Sequence, residues 1–197
     1  MAEAHDIAQW IQRLADPDPD ARLEAVRHLY RAGLDLCDAP LKQWKTNSEF
    51  RELARQPLDP GPPGITVGIG VQPETFDKIR AANGSPRLAD APPDQDAKEF
   101  ELHFEDAALD ILTTSDPSGQ GALARYLRRF GEGIQQIEIN VSDVGRATEI
   151  LRTRFGLEPV YPATHAGADG TRVNFFLAPT GKGNKVLIEL VEGSEAR

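Results

Sequence analysis

The sequence predicts an α+β protein in which two tandem βαβββ modules form a curled mixed sheet around a cleft, behind an N-terminal helical extension. Three observations lead there. Two β-type segments, 134–141 and 185–191, set oxygen-bearing side chains among aliphatic neighbours, and in a strand every second side chain points to one face. The order strand, helix, weak strand, strand, strand occurs once after residue 64 and again after residue 133. The first 57 residues carry helical spacing instead and are set off by a Pro/Gly-rich stretch. One such module leaves a sheet face uncovered. Two side by side can curl around a shared cleft while their helices cover the outer faces.

The extension, 1–57, starts with a stripe of Ile7, Trp10, Ile11 and Leu14. In the D-P-D-P run that follows, Asp18 is the expected N-cap and Pro19 the first residue of a second helix. Its stripe is Leu23, Val26, Leu29 and Tyr30, with Gly33 as the expected stop. A third helical piece holds Leu41 and Trp44, and a fourth starts at Ser48, the expected cap, followed by Phe50 and Leu53. Short helices are marginal alone, so these stripes pack on the main body or on a second subunit, which leaves a homodimer open. A linker, L-D-P-G-P-P-G, occupies 58–64.

The first module, 65–115, reads as a strand at 65–71, a helix at 73–82 ending on Asn83-Gly84, a loop or weak strand at 86–96, and strands at 99–104 and 108–113. Within 116–130, the amphipathic run A-L-A-R-Y-L-R-R-F from Ala122 predicts a connecting helix. The second module, 131–193, repeats the order with a strand at 134–141 and a helix at 144–155 ending on Gly156. A weak strand at 159–163 and strands at 172–177 and 185–191 complete it.

Composition narrows the function. A chain of 197 residues, 40% of them hydrophobic, can bury a substantial core. Its net charge of −9 disfavours phosphate backbones and anionic lipid, so neither nucleic acid nor a membrane surface is an expected partner. Cys37 is the only cysteine, which excludes an internal disulfide and a multi-cysteine zinc site and fits the reducing cytoplasm. The N-terminus has no signal-like apolar segment, and no apolar run approaches the ~18 residues of a membrane span.

Candidate site residues come from polar positions on otherwise apolar strands. Alternation sends Ile137, Ile139 and Val141 one way and Gln136, Glu138 and Asn140 the other. That polar row calls for a wet cleft or a ligand. Glu189 stands between Leu187 and Val191 on the second row of its strand, where a carboxylate is unfavourable unless something uses it. His103 shares a face with Glu101 and is a candidate for lining the cleft as a substrate contact or acid/base group, with a surface or hydrogen-bonded structural role as the alternative. Arg172 and Asn174 face with Phe176 and are candidates for holding a substrate carboxylate or carbonyl. Gly68 and Gly70 lie inside a strand, so G-I-T-V-G-I-G-V is not a dinucleotide fingerprint.

The run A-L-A-R-Y-L-R-R-F-G-E-G-I-Q-Q-I resembles the connection between modules in methylmalonyl-CoA epimerases of the vicinal oxygen chelate superfamily. A second run, V-N-F-F-L-A-P-T-G-K-G-N-K-V-L-I-E-L-V-E at 173–192, resembles that family's last two strands, with I-E-L around its metal-binding glutamate. The resemblance implies metal-ligand positions at Thr66, Asp110, Gln136 and Glu189. Where the family shows G-H-H-I-A, this chain has I-Q-Q-I-E, so no imidazole remains at the four places. The remaining oxygen donors suit one divalent cation of the Mg, Mn or Ca kind better than Zn. The implied chemistry is proton abstraction next to a carbonyl, on a small carbonyl compound or acyl-thioester, as in an epimerase, lyase or isomerase. Glu189 is the first candidate base, with Glu138 and Glu101 as alternatives that also read as ordinary solvated strand residues. The competing expectation is a metal-free small-molecule binding or sequestration protein on the same scaffold.

Overall fold

The computed structural model describes residues 2–54, 64–92, 96–181 and 183–193. The expected linker, apart from Gly64, and part of the 86–96 loop lie outside them. The fold is α+β, with mixed parallel and antiparallel pairing in both modules. Internal contacts divide the chain into two units, one of residues up to Ala32 with Val67–Gln135, the other of Gly33–Thr66 with Gln136 onward.

The first unit begins with α1 (Ala2–Arg13) and the start of α2 (Pro19–Trp44). Asp18 accepts from the Asp20 N–H at 3.1 Å, the cap that Asp-Pro chemistry predicts. Ile11, Leu14, Val26 and Leu29 are fully buried. Its strands are β1 (Ile65–Gly70), whose first two residues fall in the second unit, β2 (Lys98–His103) and β3 (Ala108–Thr113), in the order β2-β3-β1. One face is covered by α4 (Pro73–Ala82), whose Phe76 meets Phe100 edge-on at 4.8 Å. The Asn83 amide closes this helix and donates to the Leu14 carbonyl at 2.9 Å, which ties the helical extension to the module. α5 (Ala122–Phe130) packs Leu123 and Leu127 on Leu112. Its Tyr126 hydroxyl donates to the Ile134 carbonyl at 2.9 Å.

In the second unit the strand order is β4-β7-β6-β5, formed by β4 (Gly133–Asn140), β5 (His165–Ala166), β6 (Arg172–Pro179) and β7 (Lys185–Glu192). Ile137, Ile139, Ile188 and Leu190 bury one face, the side taken by α6 (Val144–Phe155) with Ala147, Ile150 and Leu151. Asp143 caps α6 by accepting from the Arg146 N–H at 2.8 Å, and Gly156 ends it at φ 65°. The extension joins this module too. After α3 (Ser48–Leu53), Ala54 bridges Val141 and the Ser142 N–H donates to the Leu53 carbonyl at 2.9 Å.

Three local expectations need correction, and one open alternative is decided. Gly33 does not stop α2, because Cys37, Leu41 and Trp44 continue the buried stripe; their burial outweighs the ~1 kcal/mol that a helical glycine costs. Asn47, not Ser48, caps α3, accepting from the Phe50 N–H at 2.8 Å. Of the two readings of 86–96, loop or weak strand, the described part takes the loop, in keeping with its prolines. Expected at 159–163, the weak strand of the second module is reduced to a Pro159 to Phe176 bridge, and pairing with β6 resumes at His165–Ala166.

Two predictions arise here. A Cβ on Gly167 would lie 2.4 Å from Thr171 Oγ1 and 2.6 Å from Val173 Cγ1. Gly167→Ala is therefore expected to destabilise the second unit by about 1–3 kcal/mol, measured as a lower urea midpoint with unchanged slope. Burial pushes the Cys37 thiol up to about 12. Its neutral form is the one the folded state accommodates, so this contribution is intact below the ordinary thiol value and is lost as pH rises toward 12. Native protein at pH 8 is expected to resist thiol reagents that label it at once in denaturant; rapid native labelling would contradict the burial. Among the described residues no helix is long and apolar enough to cross a membrane.

Candidate functional site

The parallel β4–β7 register sets Gln136 beside Leu187, Glu138 beside Glu189 and Asn140 beside Val191. Antiparallel β6 adds Leu177 beside Leu187, Phe175 beside Glu189 and Val173 beside Val191. Paired residues share a face, so Gln136, Glu138, Asn140 and Glu189 all lie on the side away from α6. Two carboxylates in direct register repel unless a donor or cation intervenes. Here the Gln136 amide nitrogen intervenes, donating to Glu189 Oε2 at 2.6 Å and Glu138 Oε1 at 3.2 Å. Glu189 is only 9% exposed and Gln136 is also buried, so these bonds act where solvent screens them weakly.

Thr66, buried at the start of β1, also belongs to the second unit. The preceding Gly64 carbonyl accepts from the Asn140 N–H at 2.9 Å, tying the entry of β1 to the end of β4. The remaining expected residues of the polar rows belong to the first unit. Asp110, 4% exposed, stands between Glu101 on β2 and Gly68 on β1. His103 Nε2 and Glu101 Oε2 share a short hydrogen bond, with both side chains about half exposed.

Arg172 and Asn174 do face with Phe176, and the register turns that row to the α6 side, opposite Glu189. Arg172 pairs with Glu192 at 3.4 Å and donates to Thr164 at 3.2 Å. Asn174, fully buried, reaches Thr148 of α6 at 3.5 Å and accepts from the Phe175 N–H at 2.9 Å. The structure therefore keeps both away from the carboxylate pair. Phe175 and Leu177 are on that face instead, and alternation with Phe176 was the sequence signal for them.

The donor set bears on the cation. Among the described residues no group of three or more His, Cys, Asp or Glu side chains is arranged to hold a metal ion. A cation beside Glu138 and Glu189 would need Gln136 as its third protein ligand. Half a turn of the amide exchanges its nitrogen for its oxygen, giving an all-oxygen set that fits a hard cation completed by water and not zinc.

No protein-family model and no curated protein matches the chain. Solved structures do. Methylmalonyl-CoA epimerase from Mycobacterium tuberculosis is 30% identical over 66% of this chain and 88% of that one, with a TM-score of 0.54. A variant of the Streptomyces coelicolor epimerase, in complex with 2-nitronate-propionyl-CoA, is 23% identical over 74% of this chain and 98% of that one, TM-score 0.57. A hypothetical protein from Bacillus halodurans is 24% identical over 67% and 94%, TM-score 0.55. The fold class is thus that of paired β/α modules carrying polar side chains on strand faces. The chain belongs to the vicinal oxygen chelate superfamily, in which the similarity runs to methylmalonyl-CoA epimerases.

Proposed function

We propose that this protein is an epimerase-, lyase- or isomerase-type enzyme that removes a proton next to the carbonyl of a small carbonyl compound or acyl-thioester. The observation that carries the reading is the carboxylate pair in direct register, half-buried Glu138 beside buried Glu189, joined through the Gln136 amide. In this reading Glu189 takes the proton from the carbon and Glu138 is the second carboxylate through which a proton returns. The amide protons of Gln136 hold the two acids at fixed separation and limit their repulsion. Glu101 is the alternative base, with His103 as its hydrogen-bonded partner. Asn140 follows on the polar row as a substrate contact, while Arg172 and Asn174 have no part in it. With the Gln136 amide turned to present its oxygen, in place of the hydrogen bonds to the two acids, Gln136, Glu138 and Glu189 would hold a Mg, Mn or Ca ion, and such an ion supplies charge stabilisation for an enolate oxygen. Thr66, in the same unit, remains a ligand position that the family resemblance adds; Asp110, which the resemblance also names, belongs to the other unit.

Neighbouring epimerases whose complexes contain methylmalonyl-CoA or 2-nitronate-propionyl-CoA make an acyl-thioester the first substrate to try. The test is solvent deuterium incorporation into methylmalonyl-CoA, followed by NMR with each cation supplied in turn. Exchange well above the protein-free rate is expected; its absence with every cation removes that substrate. A cation that binds the folded state also raises the melting temperature by mass action, a readout independent of turnover. The second reading, a metal-free binding protein, is favoured by the amide nitrogen facing both carboxylates. It predicts thioester affinity with neither exchange nor a cation-induced thermal shift. The buried lone Cys37 supports a cytoplasmic setting, and light scattering would establish whether the protein is a homodimer.

A further inference from the structure

Register in the second unit turns the open sheet face into transverse rows. Glu138, Glu189 and Phe175 form one row. Val160 extends it, its N–H donating to the Phe175 carbonyl at 2.7 Å. The neighbouring row is Gln136, Leu187 and Leu177. Each row is polar at β4 and apolar at β6. With adjacent strands ~4.8 Å apart, the passage from Glu138 across Glu189 to Phe175 spans ~10 Å. Tyr161 borders the apolar end, edge-on to Phe175 at 6.0 Å and beside His165 at 4.3 Å. Val160 and Leu177 are each 49% exposed and Tyr161 is 41% exposed. Isolated apolar residues on a surface need no explanation, whereas a contiguous set beside a buried carboxylate marks a binding surface.

We infer that Val160, Tyr161, Phe175 and Leu177 form a track for an apolar arm of the substrate, so that the site selects carbonyl compounds bearing a straight alkyl or acyl arm over those with none. This rests on Glu189 being the group that meets the reacting end, as proposed above. The change from polar to apolar along each row matches one molecule with a polar head and an apolar tail. A second copy of the chain would have to bring polar and apolar groups to the same few residues in matching order. Leu177 and Val160 set how much of the arm is covered, and are therefore specificity-determining positions.

The probes are acetyl-CoA and octanoyl-CoA, which share a headgroup and differ in arm length. Calorimetric titration of the full chain is expected to show octanoyl-CoA binding at least about tenfold tighter than acetyl-CoA, given the apolar area that the extra methylenes bury. Leu177→Ser and Val160→Ser, at half-exposed positions that tolerate the change, are expected to weaken octanoyl-CoA about threefold to tenfold and leave acetyl-CoA unchanged. Equal affinity for the two probes in the wild type overturns the track. So does octanoyl-CoA binding that both variants leave unaltered. Variants that dissociate a dimer in light scattering while keeping both affinities overturn it in favour of a partner surface. The chemistry fails separately: chain-length preference without deuterium exchange keeps the track and removes proton abstraction, and exchange without chain-length preference does the reverse.

Discussion

Glu189→Gln is expected to lower deuterium exchange into an acyl-thioester by about 10²–10⁴-fold, the range associated with loss of a positioned general base. The substitution keeps the size of the side chain and removes its charge together with its capacity to take a proton. Gln136 can still donate to the new amide oxygen, so the folded state should persist with a melting temperature close to the wild type. Substrate affinity should change much less than turnover, because the loss falls on the transition state. Glu138→Gln is expected to have a smaller effect, since the proton it returns can also come from water. Any cation-induced rise in melting temperature should shrink in the Glu189 variant, which would lose one of two carboxylate ligands. If Glu189→Gln exchanges protons at the wild-type rate, the base lies elsewhere and Glu101 becomes the residue to replace.

Trp44→Ala is expected to cost about 3–5 kcal/mol, the range for deleting a buried aromatic side chain. Trp44 is completely buried and meets Phe50 edge-on at 5.8 Å. Phe50 in turn sits in α3, whose end delivers the Leu53 carbonyl and Ala54 to the residues that follow β4. The cavity would therefore undermine the junction between the helical extension and the second module. Urea unfolding followed by circular dichroism reads the effect as a lower midpoint, or as loss of cooperativity if the extension detaches first. A cost under about 1 kcal/mol would show that the site collapses around the smaller side chain.

Elements whose ends are written in local chemistry were legible from the sequence. The helices Pro73–Ala82, Ala122–Phe130 and Val144–Phe155 coincide with their expected spans, as does the strand Ala108–Thr113. The glycines beyond these helices, Gly84, Gly131 and Gly156, all have positive φ. Local cues failed where packing overrode them, as when the apolar stripe of α2 carried the helix through Gly33. Alternation placed Gln136, Glu138 and Glu189 among the polar candidates, but it says nothing about register between strands 50 residues apart. That register makes Glu138 and Glu189 neighbours and assigns Arg172 and Asn174 to the opposite face. The distal chain also decides that Val160 lies beside Phe175, which no short-range pattern encodes.

Asn174 has an effect beyond its own bonds. Its amide is sealed beneath α6, donating to Thr148 on one side and accepting from the Phe175 main-chain N–H on the other. Sliding that helix by a turn would leave an amide stranded in a greasy layer, a penalty of about 1–3 kcal/mol with nothing to offset it. That penalty favours the present seat of the helix behind the carboxylates. Adaptation to guests of different length then falls to the bend around Val160 and Tyr161 more than to the sheet itself.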